Sequence, residues 1–147
     1  MKYAFRFYPE KCVACGACSV ACMDQNDINT AAGEFPFRRV EIREPADGVG
    51  KISYHSIGCL HCDDAPCAAV CPMGCLTKNK LGMVVCDNTA CIGCRACQRV
   101  CPVGAPTFRT DRRMYKCDGC TTRLECGLSP ACVRVCPTGA LVCVPED

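Results

Sequence analysis

The chain has 147 residues, the length of one domain or two joined halves, and a formal charge of +2 from 17 basic and 15 acidic residues. Twenty cysteines stand against five phenylalanines, four tyrosines and no tryptophan, too little bulky apolar side chain for an ordinary core. Two classes remain, a secreted disulfide scaffold or a metal–thiolate protein in which bound metal supplies much of the folding free energy. The stretch "MKYAFRFYPEKC" has neither a secretory nor a twin-arginine leader, and the longest charge-free run, 13 residues from Ala65 to Thr77, is too short for a membrane span. The expected setting is therefore cytoplasmic, which favours metal over disulfides.

In chain order, the first cysteine group is Cys12-x2-Cys15-x2-Cys18-x3-Cys22, followed by Met23 and a helix free to continue through "MDQNDIN". "FPFRRVEIREPADGVGKISYHSIG" then reads as two short alternating strands around a Gly-rich turn, a β-hairpin insertion at about 36–57. The second group is Cys59-x2-Cys62-x4-Cys67-x3-Cys71 with Pro72 after it, and "LGMVVCDNTAC" predicts a short strand. The third is Cys91-x2-Cys94-x2-Cys97-x3-Cys101, followed by Pro102. The basic run Arg109 to Lys116 reads as a solvated connection, the alternatives being docking of an acidic partner or stabilisation of a reduced centre. Lys116, directly before Cys117, is the first candidate for such tuning. The fourth group is Cys117-x2-Cys120-x11-Cys132-x3-Cys136 with Pro137, and "ALVCVPED" predicts a last strand.

Every group begins C-x2-C and ends C-x3-C, and groups one and three match the bacterial run in which three cysteines hold one [4Fe–4S] cluster and the fourth ligates another. Two C-x2-C steps wrap a tight loop around a cubane, while the x3 step is one helical turn that displaces the last sulfur along the axis. The proline after the last cysteine stops the helix, and Gly16, Gly93 and Gly119 beside the ligands permit close backbone approach. Zinc prefers isolated tetrahedral sets, and only group four resembles one by itself. Four clusters with their thiolates would add about −8, taking the formal charge to roughly −6, which argues against nucleic-acid binding. No paired catalytic carboxylates, nucleophile–base set or phosphate loop is present, so no catalytic site of its own is expected.

With the four groups laid out, the chain resembles the four-cluster [4Fe–4S] electron-transfer subunits of molybdopterin and tungstopterin oxidoreductases of the DMSO-reductase and formate-dehydrogenase type. "CLHCDDAPCAAVCP", "CIGCRACQRVCPVGAPTF" and "KCDGCTTRLECGLSPACVRVCPTGAL" carry that resemblance, which runs from Tyr3 to about Val144. It departs at Met23, where a proline would be expected, and in ending 11 residues past Cys136, which is more like the subunits of soluble formate-hydrogen complexes or the polyferredoxins of tungsten aldehyde oxidoreductases. The resemblance implies an α+β fold of two interleaved bacterial-ferredoxin-like dicluster units. The outer half is 1–35 plus 110–147 and the inner half 55–109, within a single polyferredoxin domain over 1–147.

It also implies four [4Fe–4S] clusters. Cluster 1 would take Cys12, Cys15, Cys18 and Cys136, and cluster 2 Cys22, Cys117, Cys120 and Cys132. Cluster 3 would take Cys59, Cys62, Cys67 and Cys101, and cluster 4 Cys71, Cys91, Cys94 and Cys97. The implied partners are a large Mo/W-pterin catalytic subunit and a second redox subunit (a hydrogenase, a flavin subunit or a further ferredoxin), with stacking into longer wires open. A freely diffusing ferredoxin is the rival reading.

Cys75, Cys86, Cys126 and Cys143 fall outside the grammar and read as small buried apolar residues, with extra ligands or redox-sensing thiols as the alternative. His61 in "CLHC" reads as a hydrogen-bond donor that tunes a cluster rather than as a ligand. His55 is expected on the hairpin surface.

Overall fold

A computed structural model describes residues 1–146; Asp147, assigned above to the outer half, lies outside the described residues. The chain folds into four separate two-stranded antiparallel sheets, with short helices between them. Strand β1 (Lys2–Phe7) pairs along its whole length with the last strand, β8 (Leu141–Glu146), in the register Lys2↔Glu146 to Phe7↔Leu141. The two ends of the chain are thereby tied together. Inside that pair, β2 (Arg38–Arg43) and β3 (Ser53–Gly58) form the expected hairpin. Two further small hairpins follow, β4 (Leu76–Lys78) with β5 (Val84–Cys86) and β6 (Thr107–Phe108) with β7 (Met114–Tyr115).

The helices show what the prolines do. Helix α1 (Ala17–Gln25), which has Met23 after its last cysteine, runs nine residues. The helices of the three proline-terminated groups are cut short: α2 (Pro66–Ala69) and α5 (Ala131–Arg134) have four residues each, and α3 (Ala96–Val100) has five. A prolyl residue lacks the N–H that continues a helix and disfavours the α region in the residue before it. Helix α4 (Thr121–Glu125) occupies the x11 gap of group four.

Among the described residues, seven of the sixteen buried apolar residues other than proline are cysteines, so the sulfur-bearing loops are themselves much of the interior. One core cluster joins Cys67 and Cys97 with Leu76, Val84 and Met114; the other joins Cys18 and Cys132 with Leu141, packed by Phe5, Phe7 and Val40. The basic run splits in two. Arg109 lies over the Tyr115 ring at 4.1 Å and pairs with Glu34 at 3.2 Å, whereas Met114 and Lys116 are buried. The expectation of a uniformly solvated segment fails there because β7 returns under Cys91, whose sulfur accepts the Met114 N–H. His55 is half-buried rather than superficial, with its ring 6.3 Å from Phe7 and its Nε2 3.1 Å from the Ser53 hydroxyl.

Candidate metal centres

The C-x2-C loops turn through the left-handed region at residues between or beside the cysteines: Ala14, Gly16, His61, Gly93, Arg95, Gly119 and Cys120. Such alternation of backbone conformation turns successive N–H groups toward one concave side, a setting that suits an anion. The sulfurs collect those donors. The Gly93 N–H reaches Cys91 Sγ (3.4 Å), the Gly119 N–H Cys117 Sγ (3.3 Å), the Cys75 N–H Cys71 Sγ (3.4 Å) and the Ala105 N–H Cys101 Sγ (3.3 Å). Amides aimed at sulfur favour the thiolate, the form that binds metal.

Three cavities of nearly equal empty volume lie where these loops meet. One, of about 360 Å³, is lined by Cys59, Cys62, Cys67 and Cys101. The second, of about 320 Å³, is lined by Cys71, Cys91, Cys94 and Cys97, with Cys75 also at its wall. The third, of about 340 Å³, is lined by Cys12, Cys15, Cys18 and Cys136. Each gathers three cysteines from one group and one from another. Of the remaining four, three lie close together: burial pushes the Cys22 thiol up to about 11, with Cys132 and Cys120 close enough to raise it further. Cys117 is raised by burial of its sulfur and then by Cys59, a residue that lines the first cavity. Among the described residues, no three His, Cys, Asp or Glu side chains converge on a point fit for a single ion.

The four cysteines outside the groups divide. Cys75 is 4 % exposed and packs as expected of a small apolar residue, while its amide and its S–H both engage Cys71 Sγ. Cys86 is half-buried, its thiol raised to about 12 by burial and by the neighbouring Cys75 and Cys91. Cys143 is half-buried on β8, raised to about 11 by burial and by Cys132 and Cys120. Cys126 is exposed at the end of α4, which corrects the expectation of a buried apolar residue. The x11 spacer does not bury it because α4 turns its Leu124 inward instead.

His61 supplies the test of whether a sulfur-rich cluster fits. Its Nδ1 accepts the Val84 N–H at 2.9 Å, so the neutral ring carries its proton on Nε2. Burial and the nearby Lys116 and Arg38 hold the imidazole at about 3, well below its ordinary range. Nε2–H is buried and has no partner among the described protein atoms. An orphaned donor between two cysteines fits the sulfur of a cluster, and a buried donor left unmet would otherwise be costly. Two buried cations lie nearby. Arg38 donates to the Ser56 carbonyl and hydroxyl, both at 3.2 Å, and Lys116 Nζ to the carbonyls of Val84 and Cys117.

The sequence matches the 4Fe-4S dicluster domain profile over residues 50–145, and a second profile of the same description over residues 11–75. The protein belongs to the 4Fe-4S dicluster family. It is 40% identical over 157 residues to a chain of the anaerobic dimethyl sulfoxide reductase of Haemophilus influenzae, a match that covers 99% of this sequence and 75% of that one. The corresponding reductase chain of Escherichia coli is likewise 40% identical, over 156 residues and with the same coverage. The thiosulfate reductase electron transfer subunit of Salmonella typhi is 37% identical over 135 residues, covering 88% of this sequence and 69% of that protein. This 4Fe-4S dicluster protein thus carries two ferredoxin-type units with four [4Fe–4S] clusters and serves electron transfer. No helix in the described residues is long and apolar enough to cross a membrane.

Proposed function

We propose that the chain is the electron-relay subunit of a Mo- or W-pterin oxidoreductase. It would pass single electrons through four [4Fe–4S] clusters from one redox partner to another, one of the two being the catalytic subunit. The reductase names of its relatives support the class of partner. The observation that carries the wiring is the make-up of the cavities, each with three sulfurs from one group and a fourth from another. On that reading cluster 1 is held by Cys12, Cys15, Cys18 and Cys136, and cluster 2 by Cys22, Cys117, Cys120 and Cys132. Cluster 3 is held by Cys59, Cys62, Cys67 and Cys101, and cluster 4 by Cys71, Cys91, Cys94 and Cys97. The outer half (1–35 with 110–147) then holds clusters 1 and 2, and the inner half (55–109) clusters 3 and 4.

The contacts between sets support a linear order. Cys18 packs with Cys132, Cys117 faces Cys59, and Cys67 packs with Cys97. Those pairs link cluster 1 to 2, 2 to 3 and 3 to 4. When bound, each cluster supplies a one-electron couple; the chain's own residues fix spacing, exclude water and aim amides at sulfur.

Iron content under anaerobic purification tests the assignment. Cys132→Ser lowers iron by one cluster's worth while Cys126→Ser leaves it unchanged; the reverse outcome refutes the register of group four. Co-purification with a large pterin protein separates the subunit from a freely diffusing ferredoxin.

A further inference from the structure

Six surface cations among the described residues are paired with carboxylates, and the two buried ones are not. Arg6, Arg39, Arg43, Lys78, Lys80 and Arg109 each pair with a carboxylate. Arg38 is 5 % exposed and Lys116 7 %, yet among the described residues neither meets an acidic side chain. A buried charge without a counter-charge is strongly disfavoured, so a fold that keeps two must supply negative charge from elsewhere.

Their surroundings say where. Arg38 reaches the core cluster in which Cys132 packs with Cys18. Arg38 Nη1 also donates to the Ser56 hydroxyl at 3.2 Å, leaving that O–H free to donate to Cys18 Sγ at 3.3 Å. The chain makes room for the guanidinium at Gly58, where a Cβ would stand 2.9 Å from Arg38 Cζ, and Phe5 covers it at 5.5 Å. Lys116 precedes Cys117, bonds its carbonyl, and lines the cavity of Cys59, Cys62, Cys67 and Cys101. Arg38 therefore stands between the sets Cys12/15/18/136 and Cys22/117/120/132, and Lys116 between the latter and Cys59/62/67/101. The set Cys71/91/94/97 has no buried cation beside it.

We propose that Arg38 and Lys116 are fixed counter-charges for the middle of the electron path, and that they make the cluster of Cys22, Cys117, Cys120 and Cys132 the first of the four to accept an electron. This rests on the ligand sets proposed above. Taking up one electron adds one negative charge to a cluster, with no bond made or broken. A positive charge held nearby in low dielectric stabilises that reduced state and raises the potential, more steeply the closer it lies. Cluster 2 is flanked by both cations, clusters 1 and 3 by one each, and cluster 4 by none. Arg95 does line the cavity of cluster 4, but it is exposed, where solvent and salt screen it. The amides reaching Cys71 and Cys91 favour reduction of cluster 4 as well; they are partial charges, set against two whole ones at cluster 2. An electron entering from either end would thus settle one step from cluster 1, at the joint between the two halves.

The test is a dithionite titration of the anaerobically purified full chain, with mediators, read by low-temperature EPR alongside iron content. In Lys116→Met, clusters 2 and 3 shift to lower potential, so that their reduced-to-oxidised ratio at a fixed potential falls at least tenfold, about 59 mV for a one-electron couple. Lys116→Arg, which keeps the charge, returns it to within about threefold. Arg38→Met lowers clusters 1 and 2 and leaves cluster 4 in place. Fully loaded variants whose potentials do not move overturn the proposal; a wild-type chain lacking cluster iron overturns the ligand reading instead. Where Lys116→Met fails to load, the wild type decides: its highest-potential signal must be the one altered by Cys120→Ser, and alteration by Cys94→Ser in its place overturns the proposal.

Discussion

Gly93, between Cys91 and Cys94, offers a way to weigh loop packing against backbone strain. Its φ is +71°, its N–H donates to Cys91 Sγ, and a Cβ added there would collide with the backbone carbonyl oxygen of Arg112. Gly104 has a φ of +61° with nothing within 4 Å of the corresponding Cβ. Gly93→Ala and Gly104→Ala therefore share a left-handed strain of about 1–2 kcal/mol. Only Gly93→Ala adds an overpacking cost, about 1–3 kcal/mol, because the obstacle is backbone and cannot rotate away. Cluster loss requires the loop to open, which relieves that collision, so the difference appears in the rate. The absorbance near 400 nm of the anaerobic holoprotein, followed during mild heating with a chelator, should bleach about 5 to 150 times faster in Gly93→Ala than in Gly104→Ala. Rate is the appropriate readout, since unfolding with loss of a bound metal is not a two-state equilibrium. Equal rates for the two variants would mean that Arg112 yields at no cost and that overpacking plays no part.

Deleting residues 1–8 removes β1, the whole partner of β8, and should lower iron by about two clusters' worth, since both ends contribute sulfurs to the same pair; iron analysis checks it. Met23→Pro should destabilise the holoprotein by about 3 kcal/mol or more, because α1 runs to Gln25 and proline there removes an interior hydrogen bond; faster bleaching than the wild type is the measure. Removal of iron by chelation should abolish the near-ultraviolet circular dichroism, as the core is rich in cysteine and Arg38 and Lys116 lose their counter-charge; a retained signal would show that the short sheets suffice alone.

The kind of chemistry was legible from residue spacing alone. The C-x2-C and C-x3-C spacings, and the prolines behind three of the four groups, dictate loop, helical turn and stop through local geometry, and short-range rules read local geometry well. The hairpin at Arg38–Gly58 and the strand at Leu141–Glu146 were legible for the same reason, as alternating runs beside Gly-rich turns. Helix α4, inside the x11 gap, was not: five residues without an N-cap side chain leave little local signal. Nor did spacing reveal the burial of Lys116 or the exposure of Cys126, for both depend on which segment comes to lie over them. Lys116 stands out in the sequence only by its place before Cys117, and its burial appears once β7 carries it beneath Val84; Arg38 reads as one more polar residue of a strand until Gly58, twenty residues on, opens room for it. Where those two charges stand follows from the packing of the whole chain, because burial and potential are set by neighbours distant in sequence.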